Sequence, residues 1–376
     1  MTGRRADAPA PAPASVRPAA RRTAGAGAGG ALAFVESPVQ LLNVLEWAHL
    51  HAVDAAPGGL TVVVLPPHDP MTRGQLRRMA QLARGEGHTV VWSQARGGVS
   101  APLKTVTALA RPLRAASRLV IGDPFSRYVQ LLLALAGDAA DVTVVDDGTA
   151  TMEFTAQLTG GAKRFTRWHR NGAGGVRALL FVPVSTRARR RLTPAAARHV
   201  ELFSSMPVKP PEHVTVTANT FAWTRDRFGP PRLRAGTDLV GTSLAETGVV
   251  DLDRYVAAVG ELTRAHGAVR YFAHRRERTE KLHRIAVETG LEIVRPDLPL
   301  EVVARRGPTA RTILSFPSTV VHTLPLALAG TGARVAVCDV DPAWLTDHAS
   351  PRAQGFLSGV TSTARGAHRL PQGKPA

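Results

Sequence analysis

Two adjacent carboxylates, Asp146 and Asp147, leave an apolar run and enter the turn residue Gly148. Such a pair can supply one general base and one orienting partner, because like charges at close range push one pKa upward. The same residues also suit an ordinary strand-to-helix turn, where Asp and Gly are favoured. A second run reads Tyr271-Phe272-Ala273-His274-Arg275-Arg276-Glu277. There a histidine and two arginines can contact a phosphate, and the histidine can protonate a leaving group. The plain alternative is an exposed helix start, with Glu277 complementing the helix dipole. A third run reads Leu314-Ser315-Phe316-Pro317-Ser318-Thr319. Ser318 or Thr319 at a helix N-cap would leave free backbone N–H groups for an anion, or would simply cap the helix. His322 lies inside the apolar segment that follows and reads as a core histidine.

These runs can meet only if a fold brings three strand ends together. From residue 31 the chain alternates short Val- and Ile-rich runs with helical patterns. Strands are predicted over 31–35, 60–65, 89–92, 119–121 and 142–145, with helices after the first, second and fourth. A middle region, about 150–235, is less regular and ends in prolines at 207, 210, 211, 230 and 231, the approach to a domain boundary. Alternation resumes with strands over 238–241, 269–273, 291–294, 312–316 and 334–339. The pattern predicts an α/β chain with two Rossmann-like domains, 31–230 and 231–350, whose parallel sheets face a cleft in the manner of the GT-B fold. Residues 1–30 and 351–376 are rich in Ala, Pro, Gly and Arg and are expected to be disordered tails.

Composition narrows the chemistry further. The 376 residues contain one cysteine, Cys338, which excludes a disulfide framework and a Cys-based zinc site. No apolar run approaches the roughly 18–20 residues of a membrane span. The N-terminus has arginines but no apolar signal core, so a cytoplasmic location is expected. No GxGxxG follows the first strand, and the one match, at 25–30, lies in the low-complexity tail. No GxxxxGK[ST] occurs, so dinucleotide and P-loop readings lose their main support. The net charge is +18, all of it in three segments: +4 in 1–30, +10 in 161–200 and +4 in 351–376. The internal strip includes Lys163, Arg164, Arg167, Arg170, Arg187, Arg189, Arg190 and Arg191. It is either a solvated basic surface or a groove that concentrates a polyanion.

Taken in order, the three runs resemble those of bacterial sialyltransferases, including the polysialyltransferases and lipooligosaccharide sialyltransferases. Asp146-Asp147-Gly148 matches their D/E-D/E-G motif, His274 the histidine of a His-Pro motif, and Ser318-Thr319 a Ser-Ser/Thr motif. Arg275 stands where that family has proline. The openings Glu36-Ser37-Pro38-Val39-Gln40-Leu41-Leu42-Asn43 and Pro296-Asp297-Leu298-Pro299-Leu300-Glu301 are similar to the family as well. The resemblance implies an inverting GT-B glycosyltransferase that uses a CMP-linked sialic acid and needs no metal or other cofactor. It implies Asp146 as base, Asp147 as its support, and His274 and Arg275 with Ser318 and Thr319 at the donor phosphate. The acceptor implied is a glycan. The basic strip, with Arg187, Arg189, Arg190 and Arg191, would suit a polyanionic one. Peripheral membrane association belongs to these expectations; nucleic acid does not. Two rivals stand beside this reading: a GT-B transferase with another nucleotide sugar, and a non-catalytic protein that binds an acidic polymer.

Overall fold

The computed structural model describes residues 30–53, 59–94, 101–137, 141–167, 181–196, 198–209, 211–363 and 367–370. The expected N-terminal tail, with its glycine-rich match, and Arg170 of the basic strip lie outside the described residues.

Seven strands form the first sheet: β1 (Ala31–Val35), β2 (Leu60–Val64), β3 (Thr89–Trp92), β4 (Arg118–Ile121), β5 (Asp141–Val145), β6 (Val200–Ser204) and β7 (Thr215–Ala218). All pair in parallel, in the order β3-β2-β1-β4-β5-β6-β7. The connecting helices are α1 (Pro38–Leu50), α2 (Pro70–Gly85), α3 (Ala101–Ala115), α4 (Arg127–Leu135), α5 (Thr149–Thr159), α6 (Val182–Arg191) and α7 (Ala222–Phe228). The central strands are apolar throughout because both their faces are covered. Leu32, Phe34, Val142 and Val144 pack with Leu113, Leu133 and Phe154 on one face. Ala33, Val35 and Val145 pack with Leu41 and Met79 on the other.

The second sheet contains β8 (Leu233–Val240), β9 (Ala268–Phe272), β10 (Glu292–Val294), β11 (Thr309–Ser315), β12 (Arg334–Cys338) and β13 (Ala367–Leu370). It is also all parallel, in the order β10-β9-β8-β11-β12-β13. Its helices are α8 (Leu252–His266), α9 (Thr279–Thr289), α10 (Leu300–Arg306), α11 (Val320–Ala327) and α12 (Pro351–Thr363). Strand order reverses between β1 and β4 and between β8 and β11, and the crevice beyond such a switch point is where α/β sheets bind ligands. The two sheets share a seam. Leu298, Val302 and Ala327 join the cluster that holds Phe203, Phe221 and Trp223. Gln75 Nε2 donates to the Pro296 carbonyl at 2.8 Å, and Thr319 lies beside Gly148, so the strand ends face each other. This is the GT-B arrangement.

The structure corrects part of the expected tail at 351–376, of which residues 364–366 and 371–376 lie outside the described residues. Residues 351–363 are helical, and β13 extends the sheet from β12 with a four-residue parallel register. Leu357 and Val360 are buried, so two well-placed apolar residues and an open strand edge suffice to order this polar segment. The elements α3, β7 and α7 were not expected from the residue pattern.

Candidate active site

The pair at the end of β5 is split by the pleat. Asp146 continues the alternation of Val142 and Val144 and turns under α5, whereas Asp147 enters the turn toward the second sheet. Asp146 is 2% exposed. Its carboxylate accepts from Thr151 Oγ1 (2.6 Å), Ser204 Oγ (3.0 Å), Ser205 N (3.1 Å) and Ser205 Oγ (3.0 Å). Burial still raises its pKa against these donors. The expectation of Asp146 as a base facing the cleft meets a geometric obstacle: it is buried, and four donors from Thr151, Ser204 and Ser205 surround its oxygens, which leaves Asp147 the more accessible carboxylate of the pair.

Asp147 keeps 18% of its side chain accessible and has Arg167 Nη2 at 3.6 Å. The same Nη2 lies 3.0 Å from Asp123 Oδ2, in the loop after β4, and the guanidinium stacks 5.2 Å from the Phe125 ring. Gln40 supplies a side-chain hydrogen bond to Asp147. Its Oε1 is already used by the Glu36 N–H at 2.7 Å, which leaves its amide nitrogen to donate. Ser37 Oγ caps α1 and sets where Gln40 points. Gly122 is required opposite, because a Cβ there would overlap the Gln40 side chain. Burial, with Asp123 nearby, pushes the Asp147 carboxyl up to about 7, against the pull of Arg167, Gln40 and Arg275. A carboxylate poised near neutrality is matched to general-base work.

Across the cleft, His274 follows β9. Its backbone N–H donates to Glu277 Oε2 at 2.5 Å, and its Nδ1 accepts from the Arg276 N–H at 3.2 Å. Burial, with Arg275, Arg276 and Lys281 close by, pushes the imidazole down to about 4. The ring is thus neutral at physiological pH, with its proton on Nε2 as a hydrogen-bond donor. The loop rests on a buried network. Glu277 accepts from Tyr271 Oη at 2.6 Å and pairs with Lys281 Nζ at 2.8 Å, and Tyr255 Oη lies 2.7 Å from Tyr271 Oη. Gly241 packs directly on it, where a Cβ would overlap Glu277 and Tyr271. Arg275 is half-buried within electrostatic reach of Asp147 and Asp69 of the other sheet, so it spans the cleft.

Ser318 and Thr319 precede α11, and neither makes a side-chain cap to that helix. Ser318 Oγ lies 3.4 Å from Ser315 Oγ. Thr319, at the start of α11, lies beside Gly148, while the Val321 and His322 N–H groups donate to the Ser318 and Thr319 carbonyls at 3.2 and 3.0 Å. Strands β9 and β11 flank β8, so the strands that lead to the His274 and Ser318 turns lie about 10 Å apart, two interstrand spacings. His322 is buried within α11. Glu301 of α10 accepts from Thr323 Oγ1 at 2.5 Å and braces α11 next to Asp146.

Of the four arginines expected at an acceptor, Arg187, Arg190 and Arg191 line one open pocket with Arg198, and Arg189 turns away from it. Arg191 is buried, with Nη2 donating to the Ala136 carbonyl at 2.7 Å. Arg189 donates to the Ala162 carbonyl at 3.0 Å and covers Phe165. Both tie α6 to its neighbours, and only Arg187 and Arg190 point outward. Helical spacing explains the correction: four arginines within five residues cannot share one face. Gln40, Asp123 and Arg167 are the site residues that sequence reasoning did not single out for the base. Gln40 alone carried a local signal, a polar residue amid the apolar positions of α1. Among the described residues, no group of three or more His, Cys, Asp or Glu side chains is placed to hold a metal ion, and no helix is long and apolar enough to cross a membrane.

No family model and no curated protein matches the sequence. Among solved structures, the fold is similar to an enzyme described as a putative UDP-N-acetylglucosamine 2-epimerase from Listeria monocytogenes, with a TM-score of 0.50 at 11% identity over 82% of this chain and 78% of that one. An α/β-galactoside α-2,3-sialyltransferase from Photobacterium phosphoreum aligns with a TM-score of 0.48 at 8% identity, over 91% of this chain and 98% of that one. The likeness at these identities is one of fold.

Proposed function

We propose that this protein is an inverting glycosyltransferase that moves a sialic acid, or a related nonulosonate, from a CMP-linked donor to a glycan hydroxyl. The observation that carries the reading is the pairing across the cleft. A carboxyl held near pKa 7, Asp147, stands opposite a polar, cationic site made by His274, Arg275 and the Ser318 and Thr319 hydroxyls at the start of α11. Transfer needs a base at the acceptor oxygen and charge neutralisation at the departing phosphate. In this reading Asp147 takes the acceptor proton, and Asp146 holds the turn from which it projects. His274 donates Nε2–H to the leaving phosphate as a neutral hydrogen-bond donor, since an imidazole with a pKa of about 4 is not a general acid at pH 7. The Ser318 and Thr319 hydroxyls at the start of α11 hold the same phosphate, and no metal is called for.

The test is a donor screen that follows nucleotide release. CMP-sialic acid with a galactoside acceptor should release CMP and form the disaccharide. Turnover with UDP- or ADP-linked sugars and none with CMP-linked donors would replace this reading with that of a GT-B transferase for another nucleotide sugar.

A further inference from the structure

We propose that the cavity between α4, α6 and the Arg164–Arg167 loop is an acceptor subsite for a carboxylate-bearing sugar residue. The inference rests on the glycosyltransferase reading for its role, and on its own geometry for its ligand. The cavity has a volume of about 130 Å³, open to solvent. At a water's share of about 30 Å³ this is space for about four waters, enough to seat the carboxylate end of a sugar residue whose remainder lies in the opening. Its position is set by Arg167, which lines it and also touches Asp147. A sugar seated there would present its outer hydroxyl to that carboxylate.

The lining has the chemistry of an anionic sugar site. Phe181 offers an apolar face of the kind on which sugar rings stack, with Arg127 5.6 Å from its ring, and the buried Phe165 closes the floor. Arg127 and Arg164 are exposed at the rim, and among the described residues neither is paired with a carboxylate. Arg167, by contrast, is already neutralised by Asp123 and Asp147. The two rim arginines therefore leave two positive charges for a ligand, and planar guanidinium groups match a carboxylate in two parallel hydrogen bonds. An independent observation points the same way. Ser185 lines the inner wall and is 5% exposed, and its Oγ is buried without a hydrogen-bond partner among the described residues. A buried hydroxyl of this kind is costly to leave unmade, and a sugar hydroxyl would satisfy it.

The probes are an α-2,8-linked sialic acid trimer and the neutral galactoside lactose, with calorimetric binding to the full-length protein in the absence of donor. The trimer should bind and lactose should bind at least tenfold more weakly. Arg127→Ala combined with Arg164→Ala should weaken the trimer at least tenfold, and most of the advantage should vanish at high salt. Phe181→Ala should weaken it at unchanged salt dependence. CMP affinity and thermal midpoint establish that each variant is folded. Equal binding of trimer and lactose, or trimer binding indifferent to the double variant, would overturn the subsite. The donor screen is separate: CMP release without trimer binding would sink only the subsite, and trimer binding at these arginines without CMP release would sink only the transfer reading.

Discussion

Replacing Asp147 with Asn should abolish transfer and, at the same time, stabilise the protein, a combination that separates a base from a structural carboxylate. The amide keeps the side chain's size but cannot accept the acceptor's proton, so kcat should fall by roughly 10²–10⁴. The stability effect follows from the environment. In the folded protein the carboxyl titrates at about 7, against an ordinary 3.8. An acid whose folded pKa is raised favours the folded state at low pH and loses that advantage as pH rises through the folded value. Between about pH 4 and pH 7 the parent should therefore lose up to ~4 kcal/mol from this group. Solvent reaches 18% of the side chain, which brings the figure to roughly 2–4 kcal/mol. Asn has no such term. Urea denaturation at pH 5 and pH 8 should show the variant gaining on the parent by about 1–3 kcal/mol between the two pH values. CMP affinity by calorimetry should be retained, because the phosphate site lies on the other sheet. Asp146→Ala is the contrast: it leaves four donors without their acceptor and should cost about 2–4 kcal/mol of stability at pH 5, and less at pH 8 because burial raises this pKa too. Near-normal turnover in Asp147→Asn would refute the assignment, as would an inactive Asp146→Asn of undiminished stability.

The pH profile of kcat/KM should rise through about pH 7 as Asp147 ionises, with no second limb near 6.5, because His274 stays neutral down to about pH 4; initial rates from pH 5 to 9 test this. Arg167→Ala removes the cation that favours the ionised form, so the limb should move to higher pH and the rate at pH 7 should fall, while the rate well above the limb recovers in part. Truncation after residue 350 removes α12 and β13 and uncovers the β12 edge, so it should lower the thermal midpoint by several degrees, measured by calorimetry against the full chain.

Local pattern was enough for most of the two sheets. Buried parallel strands must be apolar on both faces, and runs such as those of β1, β2 and β5 can be little else. Elements that lack this constraint were hidden. In β7, with its exposed Thr215, Val216 and Ala218, an edge position relaxes the composition. In α3, Pro112 lies inside the helix. In α12 and β13, two buried apolar residues and a free strand edge do the work of a long hydrophobic stripe. The three chemical runs were legible because each sits at the end of a readable strand. Which aspartate does what was not. Asp146 and Asp147 are neighbours in the chain with the same side chain, and nothing local distinguishes them. Their difference comes from the pleat, which turns one toward Ser204 and Ser205 of a strand 58 and 59 residues away, and the other toward Arg167, Gln40 and Asp123. A carboxyl's ionisation depends on the groups around it in space, and in this protein those groups come from three strand ends that only the folded sheet brings together.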